Sequence, residues 1–465
     1  MQAYRLLSVR WNMATTSLRN VVVRLKVTRR LAHWRLYLLA AATISVCLWL
    51  RLMRINDVTI VDDDDVALRA SGSFYVAERR VVSAINCSAL FAGKKSEISK
   101  ALEYDKSHSE GRDFDVVRYF AGPHDCDRFR SRRGYPSRPL SDEENLFPLA
   151  FSILLLSQVN EAERLLRAIY MPQNSYCIHV DKKASPDIQH ALMALARCFD
   201  NVFVTAEQLD IIYGTITLVT AELNCMRDLL HFNKDWKYFI NLASEEFPLK
   251  TNRELVKILK LYDGLNEIQQ VNHVHIAKHT KYKHALLPCD RDTESPSAVC
   301  MTKTDQLKSA PPHDLVIFKG SRYGAFSRRF SDFVVHSAVS AAYVEWLQDT
   351  LIPDELFWGT LNRNQHIYPP GGSTGDRYIN NSPIRAVIWE YESKGVKCGG
   401  KFVREVCVFG YADLPILYMT PYFFANKFYK NFQRLALDCL EELHVNRTLH
   451  LEPIDTEYYL RNLPK

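Results

Sequence analysis

Between residues 147 and 242 the chain alternates short apolar runs with amphipathic ones, and nothing else in it restricts the possible folds as much. Residues 149–156 are apolar apart from Ser152, which reads as a strand buried on both faces. Residues 160–170 then place Ala162, Leu165, Leu166 and Ile169 on one helical face. The alternation continues with a strand at 176–180, a helix at 186–199, a strand at 202–205, a long helix at 217–232 and a strand at 236–242. Parallel strands need crossovers of this length, and their burial on both faces removes the polar alternation of an exposed sheet. The pattern predicts an α/β fold with a Rossmann-like, mostly parallel sheet and helices on both faces.

Ligands of such sheets bind beyond the carboxyl ends of the strands. Asp181 and Ser244-Glu245-Glu246 follow strand ends and are placed to meet one. No G-x-G-x-x-G follows the first strand and no G-x-x-x-x-G-K occurs, so dinucleotide and P-loop nucleotide enzymes lose their signatures. A nucleotide-sugar site needs neither. In the second half, residues 277–312 read as a polar loop, regular structure returns at 315–320 and 325–335, and 369–373 is a loop. Gly399-Gly400 and the run 403–410 read as a turn into a strand, and 421–432 is aromatic and basic.

Residues 1–35 carry eight basic side chains and no acid, and 36–50 follow without a charge. Fifteen residues is short for a span of about 20. Arg35 and Arg51 can snorkel, while Leu52 and Met53 extend the apolar length. The expectation is a cytosolic tail at 1–35, a transmembrane signal-anchor at 36–53, a lumenal stem and N-terminal extension at 54–145 with sparse regular structure, and a catalytic domain at 146–465. The positive tail gives a single-pass type II orientation. A cleaved signal peptide is the alternative, though its charged region would be unusually long. Setting those eight cations aside leaves 51 basic against 53 acidic residues, so the basic pI describes the tail and not a nucleic-acid surface.

Cys47 lies in the apolar run, and ten of the eleven cysteines follow it. An even number in an oxidising lumen predicts five disulfides. The absence of a C-x-x-C pair argues against zinc ribbons and thioredoxin-like chemistry. Asn86 and Asn446 head glycosylation sequons; the one at Asn380 is weakened by Pro383.

The segment Pro353-Asp354-Glu355 opens an apolar block, Leu356-Phe357-Trp358. Proline suits a first helical position, and acids in the first turn complement the helix dipole. The bland reading is a capped surface helix; the sharper one is a carboxylate against an apolar wall, fit to act as a base.

Several segments in order carry one resemblance: residues 164–174, Cys177-Ile178-His179-Val180-Asp181, 198–202, 236–242, Phe247-Pro248-Leu249-Lys250-Thr251-Asn252, Pro353-Asp354-Glu355, Val406-Cys407-Val408-Phe409-Gly410 and Phe424-Ala425-Asn426-Lys427-Phe428. Over about residues 85–445 the chain resembles the core-2/I-branching β-1,6-N-acetylglucosaminyltransferases. The resemblance implies a Golgi type II enzyme of GT-A-like fold. Such an enzyme transfers a sugar, N-acetylglucosamine first of all, from a UDP donor to a 6-hydroxyl of galactose or N-acetylgalactosamine in O-glycans, inverting the anomeric carbon without a metal. It puts the general base on Glu355, diphosphate contacts on Arg404 and Lys427, uridine contacts near Leu154, Asp181 and Tyr213, and acceptor aromatics on Trp389 and Tyr391. It implies the pairs Cys87–Cys439, Cys126–Cys198, Cys177–Cys225 and Cys398–Cys407, leaving Cys289 and Cys300 for each other. The chain departs from the family at Ala243, where a free cysteine is usual, at Gln269, where an acceptor-binding glutamate is usual, and throughout 277–312.

Other chemistries fit less well. Asp-x-Asp pairs at 113/115, 125/127, 290/292 and within 62–65 do not follow apolar strands, as a metal-binding pair would. His273, His275, His279 and His284 are interleaved with Lys278, Lys281 and Lys283, which repel a zinc ion. A glycosidase needs two carboxylates straddling one bond, and the adjacent Asp354 and Glu355 diverge by about 100° on a helix. Asp354 reads instead as a cap for the turn. Trp389 and Tyr391, two apart on an expected strand, face one side and can stack on a sugar or pack in a core. Another donor such as UDP-glucose or UDP-xylose, and a catalytically inactive membrane-tethered glycan-binding protein, stay open as alternatives.

Overall fold

The computed structural model describes residues 85–107, 114–272, 276–289, 299–376, 382–391, 396–450 and 453–464. The expected tail and signal-anchor lie outside them, and among the described residues no helix is long and apolar enough to cross a membrane. The strands are β1 (Leu149–Leu155), β2 (Ser175–Val180), β3 (Val202–Val204), β4 (Tyr238–Ala243), β5 (Glu246–Pro248), β6 (Glu267–Ile268), β7 (Tyr282–Pro288) and β8 (Val299–Leu307). There follow β9 (Gly324–Ser327), β10 (Arg385–Ala386), β11 (Lys401–Val403), β12 (Val406–Val408) and β13 (Phe424–Asn426).

The central sheet has six strands in the order β3-β2-β1-β4-β9-β6. Strands β1 to β4 pair in parallel, and β9 runs antiparallel to both β4 and β6, so the sheet is mostly parallel. Residues of the same apolar run serve opposite faces, as the two-residue strand period requires. Leu149, Phe151, Ile153 and Leu155 pack into one core with Ile178 and Ile240, against the helices Val159–Ile169 and Pro186–Ala196. Ala150, Cys177 and Phe239 point the other way, toward Thr217–Phe232, Arg328–His336 and Asp354–Arg363. Both faces are covered, which is why β1 carries no polar alternation.

Residues 85–146 depart from the expected sparse structure. They form the helices Cys87–Phe91, Lys95–Ser107, Val116–Phe120, Cys126–Arg133 and Asp142–Leu146, and Phe120, Phe129 and Tyr135 join the first core. The turn-forming residues that make this stretch look irregular are helix caps: Asn86, Asp115, Asp125 and Ser141 each accept a backbone N–H of the following turn. Residues 277–312 are likewise no plain loop. Strands β7 and β8 pair as an antiparallel hairpin tied near its tip by Cys289–Cys300.

A small sheet, β10-β13-β5, lies beyond the end of β4, held by the buried Arg385 to Glu246 pair at 2.9 Å. Next to it β11 and β12 form a hairpin, so the run 403–410 is not one strand: Arg404 and Glu405, with φ of 51° and 64°, turn the chain between them. The disulfides are Cys87–Cys439, Cys126–Cys198, Cys177–Cys225, Cys289–Cys300 and Cys398–Cys407, the same pairs that the family pattern and the two cysteines left over give. Of the sequon asparagines, Asn86 is exposed and caps Cys87–Phe91, and Asn446 is exposed on the helix Leu435–His450.

Thiol titration of residues 80–465, denatured without reductant, should find no free thiol. Two thiols would mean that the β7–β8 hairpin is not cross-linked.

Candidate functional site

The carboxyl ends of β1 and β2 supply one wall. Leu154 is buried, pairs with His179 across the sheet, and its carbonyl accepts the N–H of Ser244 at 3.1 Å. Asp181 is buried too; its N–H donates to the Leu155 carbonyl at 2.8 Å, and its carboxylate accepts the Lys183 N–H at 2.8 Å. Lys183 also donates to the Ile211 carbonyl at 2.7 Å, and Leu209 donates to His179 Nε2 at 3.2 Å. These bonds fasten the loop 205–214 over the strand ends. That loop carries Tyr213, whose ring is 84 % exposed.

The same loop meets the helix Asp354–Arg363. The Ile352 N–H donates to the Gly214 carbonyl at 2.9 Å, just before Pro353 caps the helix. Although Tyr213 is largely exposed, partial desolvation, then the carboxylates of Asp354, Glu355 and Glu405, raise its hydroxyl, while Arg404 lowers it. Tyr213 thus lies within electrostatic reach of both the Asp354–Glu355 turn and the Arg404–Glu405 turn.

Glu355 is partly exposed in the first helical turn. Lys319 Nζ stands 3.0 Å from its Oε2, and its backbone carbonyl accepts the Gly320 N–H at 2.7 Å. Gln269 lies beside this contact. A Cβ on Gly320 would sit 1.8 Å from the Gln269 carbonyl oxygen, so only glycine lets the two segments approach.

Asp354 is not the surface cap that the sequence implies. It is buried, and burial raises its carboxyl to about 7; the Arg322 guanidinium opposes that shift, while Glu355 and Glu222 add to it. Arg322 in turn pairs with the buried Glu222 at 2.6 Å, and Asn241 of β4 donates to the other Glu222 oxygen at 2.9 Å. One polar chain therefore runs from β4 to the residue before Glu355.

Beyond Tyr213, the Lys427 ammonium donates to the Val403 carbonyl at 3.2 Å, beside the Arg404 turn, and lies 5.0 Å from the centre of the Tyr429 ring. Glu245 faces Lys427; burial raises its carboxyl and the lysine opposes the rise. Trp389 and Tyr391 are not on a strand. Trp389 makes one isolated bridge to Val406, and Tyr391 falls in the turn after it. Their rings still pack at 5.6 Å, and the Glu390 N–H donates to the Glu405 carbonyl at 2.9 Å, which brings the pair to the Arg404 turn. The described Asp-x-Asp pair, Asp125 and Asp127, is occupied elsewhere: Asp125 caps a helix and Asp127 pairs with Arg130.

Glu355 and Gln269 thus meet at the Lys319–Gly320 segment, Lys427, Trp389 and Tyr391 cluster at the turn that carries Arg404, and Leu154 and Asp181 stand at the strand ends under the loop that carries Tyr213. Lys319, Arg322 and Glu222 are not singled out by the sequence, and His279 is weighed there only as a zinc ligand. The only local signal for Lys319 is a charge closing the apolar run 315–318 before a glycine. His279, whose Nδ1 meets the Leu351 carbonyl at 2.9 Å and which burial holds below the usual histidine range, belongs to the stretch that departs from the family.

The family model described as "Core-2/I-Branching enzyme" matches residues 149–417. A Homo sapiens N-acetyllactosaminide beta-1,6-N-acetylglucosaminyl-transferase is 39 % identical over 327 residues, covering 70 % of this chain and 79 % of its own. A Mus musculus beta-1,3-galactosyl-O-glycosyl-glycoprotein beta-1,6-N-acetylglucosaminyltransferase 3 is 35 % identical over 377 residues, covering 77 % and 82 %. A Homo sapiens beta-1,3-galactosyl-O-glycosyl-glycoprotein beta-1,6-N-acetylglucosaminyltransferase is 36 % identical over 373 residues, covering 77 % and 85 %.

The buried Asp354 predicts a pH signature. Its carboxyl is raised in the folded chain, so the unfolded chain loses this proton first, and the contribution to stability falls as pH rises from about 4 to about 7. Asp354→Asn removes that fall. Thermal melts from pH 4 to 8 should show the variant gaining on the wild type as neutrality is approached; a constant difference would mean the carboxyl is solvated.

Proposed function

The chain belongs to the core-2/I-branching enzyme family and is a glycosyltransferase, and on that premise we propose that it moves N-acetylglucosamine from UDP-N-acetylglucosamine to a 6-hydroxyl of galactose or N-acetylgalactosamine in O-glycans. The reading includes a GT-A-like fold, inversion at the anomeric carbon, turnover without a divalent metal, and a Golgi membrane enzyme held by residues 36–53 with its body in the lumen.

One observation supports it: Tyr213 stands within electrostatic reach of a partly exposed carboxylate, Glu355, and of the turn that carries Arg404, where the Lys427 ammonium sits 3.2 Å from the Val403 carbonyl. Inverting transfer needs that polarity. Glu355 takes the proton of the acceptor hydroxyl as its oxygen bonds to the anomeric carbon. On the far side the bond to UDP breaks, its electron pair leaves on the diphosphate, and Arg404 and Lys427 stabilise the added charge, as a metal would. Leu154 and Asp181 hold the uridine end. Trp389 and Tyr391 offer ring faces for the acceptor sugar, and Gln269, packed against Gly320 next to the Lys319–Glu355 pair, offers it a further polar side chain.

The β7–β8 hairpin and Gln269 distinguish the acceptor side from the family pattern. Screening UDP-sugars against core-1 and poly-lactosamine acceptors tests donor and acceptor together. Turnover with UDP-glucose or UDP-xylose but not UDP-N-acetylglucosamine would overturn the donor, and no turnover with any would favour a glycan-binding protein.

Glu355→Gln should lower turnover by at least about 10²–10⁴-fold with UDP binding and folding retained, because glutamine keeps the shape and cannot take the proton. Lys427→Ala should weaken UDP binding as well as turnover, as calorimetry beside kinetics would show. Activity should survive EDTA; loss on chelation with recovery on manganese would refute the metal-free mechanism.

A further inference from the structure

Lys319 is fixed before any substrate arrives. Its N–H and carbonyl both bond to Val271, at 3.0 and 2.7 Å, and the next residue, Gly320, donates to the Glu355 carbonyl at 2.7 Å while pressed against Gln269. Its ammonium ends 3.0 Å from Glu355 Oε2, with the two side chains only 28 % and 27 % exposed. An open surface ion pair is worth little because two long side chains must be immobilised for it. Here the backbone on both sides is already held, so the cost of ordering is reduced. Among the described residues, the other charged or titratable groups around Glu355 are Asp354, which faces Arg322 and Glu222, and Tyr213 and His279 from neighbouring segments.

We propose that Lys319 is a positioning residue for the transfer: by holding Oε2 it fixes the Glu355 carboxylate with Oε1 presented to the acceptor hydroxyl. A base must stand within about 3 Å of the proton it removes, and a glutamate has three torsions to settle first. The hydroxyl proton passes to Oε1, the new bond forms at the anomeric carbon, and the electron pair leaves with UDP. Lys319 keeps its proton throughout.

The inference rests on Glu355 being the base, and one set of full-chain variants separates the two. Lys319→Met should lower kcat ten- to a hundredfold while the UDP-sugar KM stays within about twofold. Lys319→Arg should recover to within about threefold of wild type, since it restores the cation. In the Glu355→Gln background, Lys319→Met should cost nothing further, because the two residues act as one unit. Should Lys319→Met not fold, Lys319→Gln replaces it. A kcat within twofold of wild type, an equal loss in donor binding, or losses that multiply in the double variant would overturn the positioning role. High residual turnover in Glu355→Gln alone would instead refute the base, and the positioning role with it.

Discussion

The pair between Arg322 and Glu222 is the contact on which the rest of the site leans. Glu222 comes from the helix Thr217–Phe232 and Arg322 from the segment leading into β9, and Asn241 of β4 joins them by donating to Glu222 and to the Arg322 carbonyl. Asn241 also accepts the Gly324 N–H at 2.9 Å, which sets where β9 begins. Charges this deep cost several kcal/mol each to desolvate, and removing one partner of such a pair costs about 3–5 kcal/mol. The junction thus fixes the geometry of three elements at the end of β4 more than it adds stability. Asp354 is lodged against it, so the first turn of the helix Asp354–Arg363 is tied to the centre of the sheet.

The candidate site draws on two kinds of support. Glu355, Lys319 and Gln269 stand on segments hydrogen-bonded to one another and to the central sheet. Arg404, Lys427 and the Trp389–Tyr391 ring pair stand on short strands and turns outside it, tied by Phe409 to Lys427 and Glu390 to Glu405 backbone bonds. A rigid half holds the carboxylate, and a lighter half holds the cations.

Much of the central sheet is legible in the sequence because its strands are buried on both faces and separated by long amphipathic helices. The run from Leu149 and the helix Thr217–Phe232 fall within a residue of where hydrophobic spacing puts them. Short elements are not legible, because their signals are ambiguous. Asp115, Asp125 and Ser141 are turn residues by composition and helix caps in fact. Arg404 and Glu405 turn a hairpin without glycine, so periodicity alone carries a strand through them. Candidate residues that match local motifs, such as Glu355 and Lys427, can be proposed from sequence. Lys319 and Arg322 cannot, since their meaning comes from partners 36 and 100 residues away.

The Cys87–Cys439 bridge spans 352 residues of sequence, and its two halves are made at very different times. At about 5–20 residues per second, Cys87 leaves the ribosome roughly 20–70 s before Cys439 follows. In that interval Cys126, Cys177, Cys198 and Cys225 all appear, each an available but wrong partner. The first helix of the body therefore waits as a reactive thiol or passes through borrowed pairings until the last long helix is translated. Maturation of this chain is a problem of thiol custody during synthesis, and a disulfide isomerase is the chemistry that solves it.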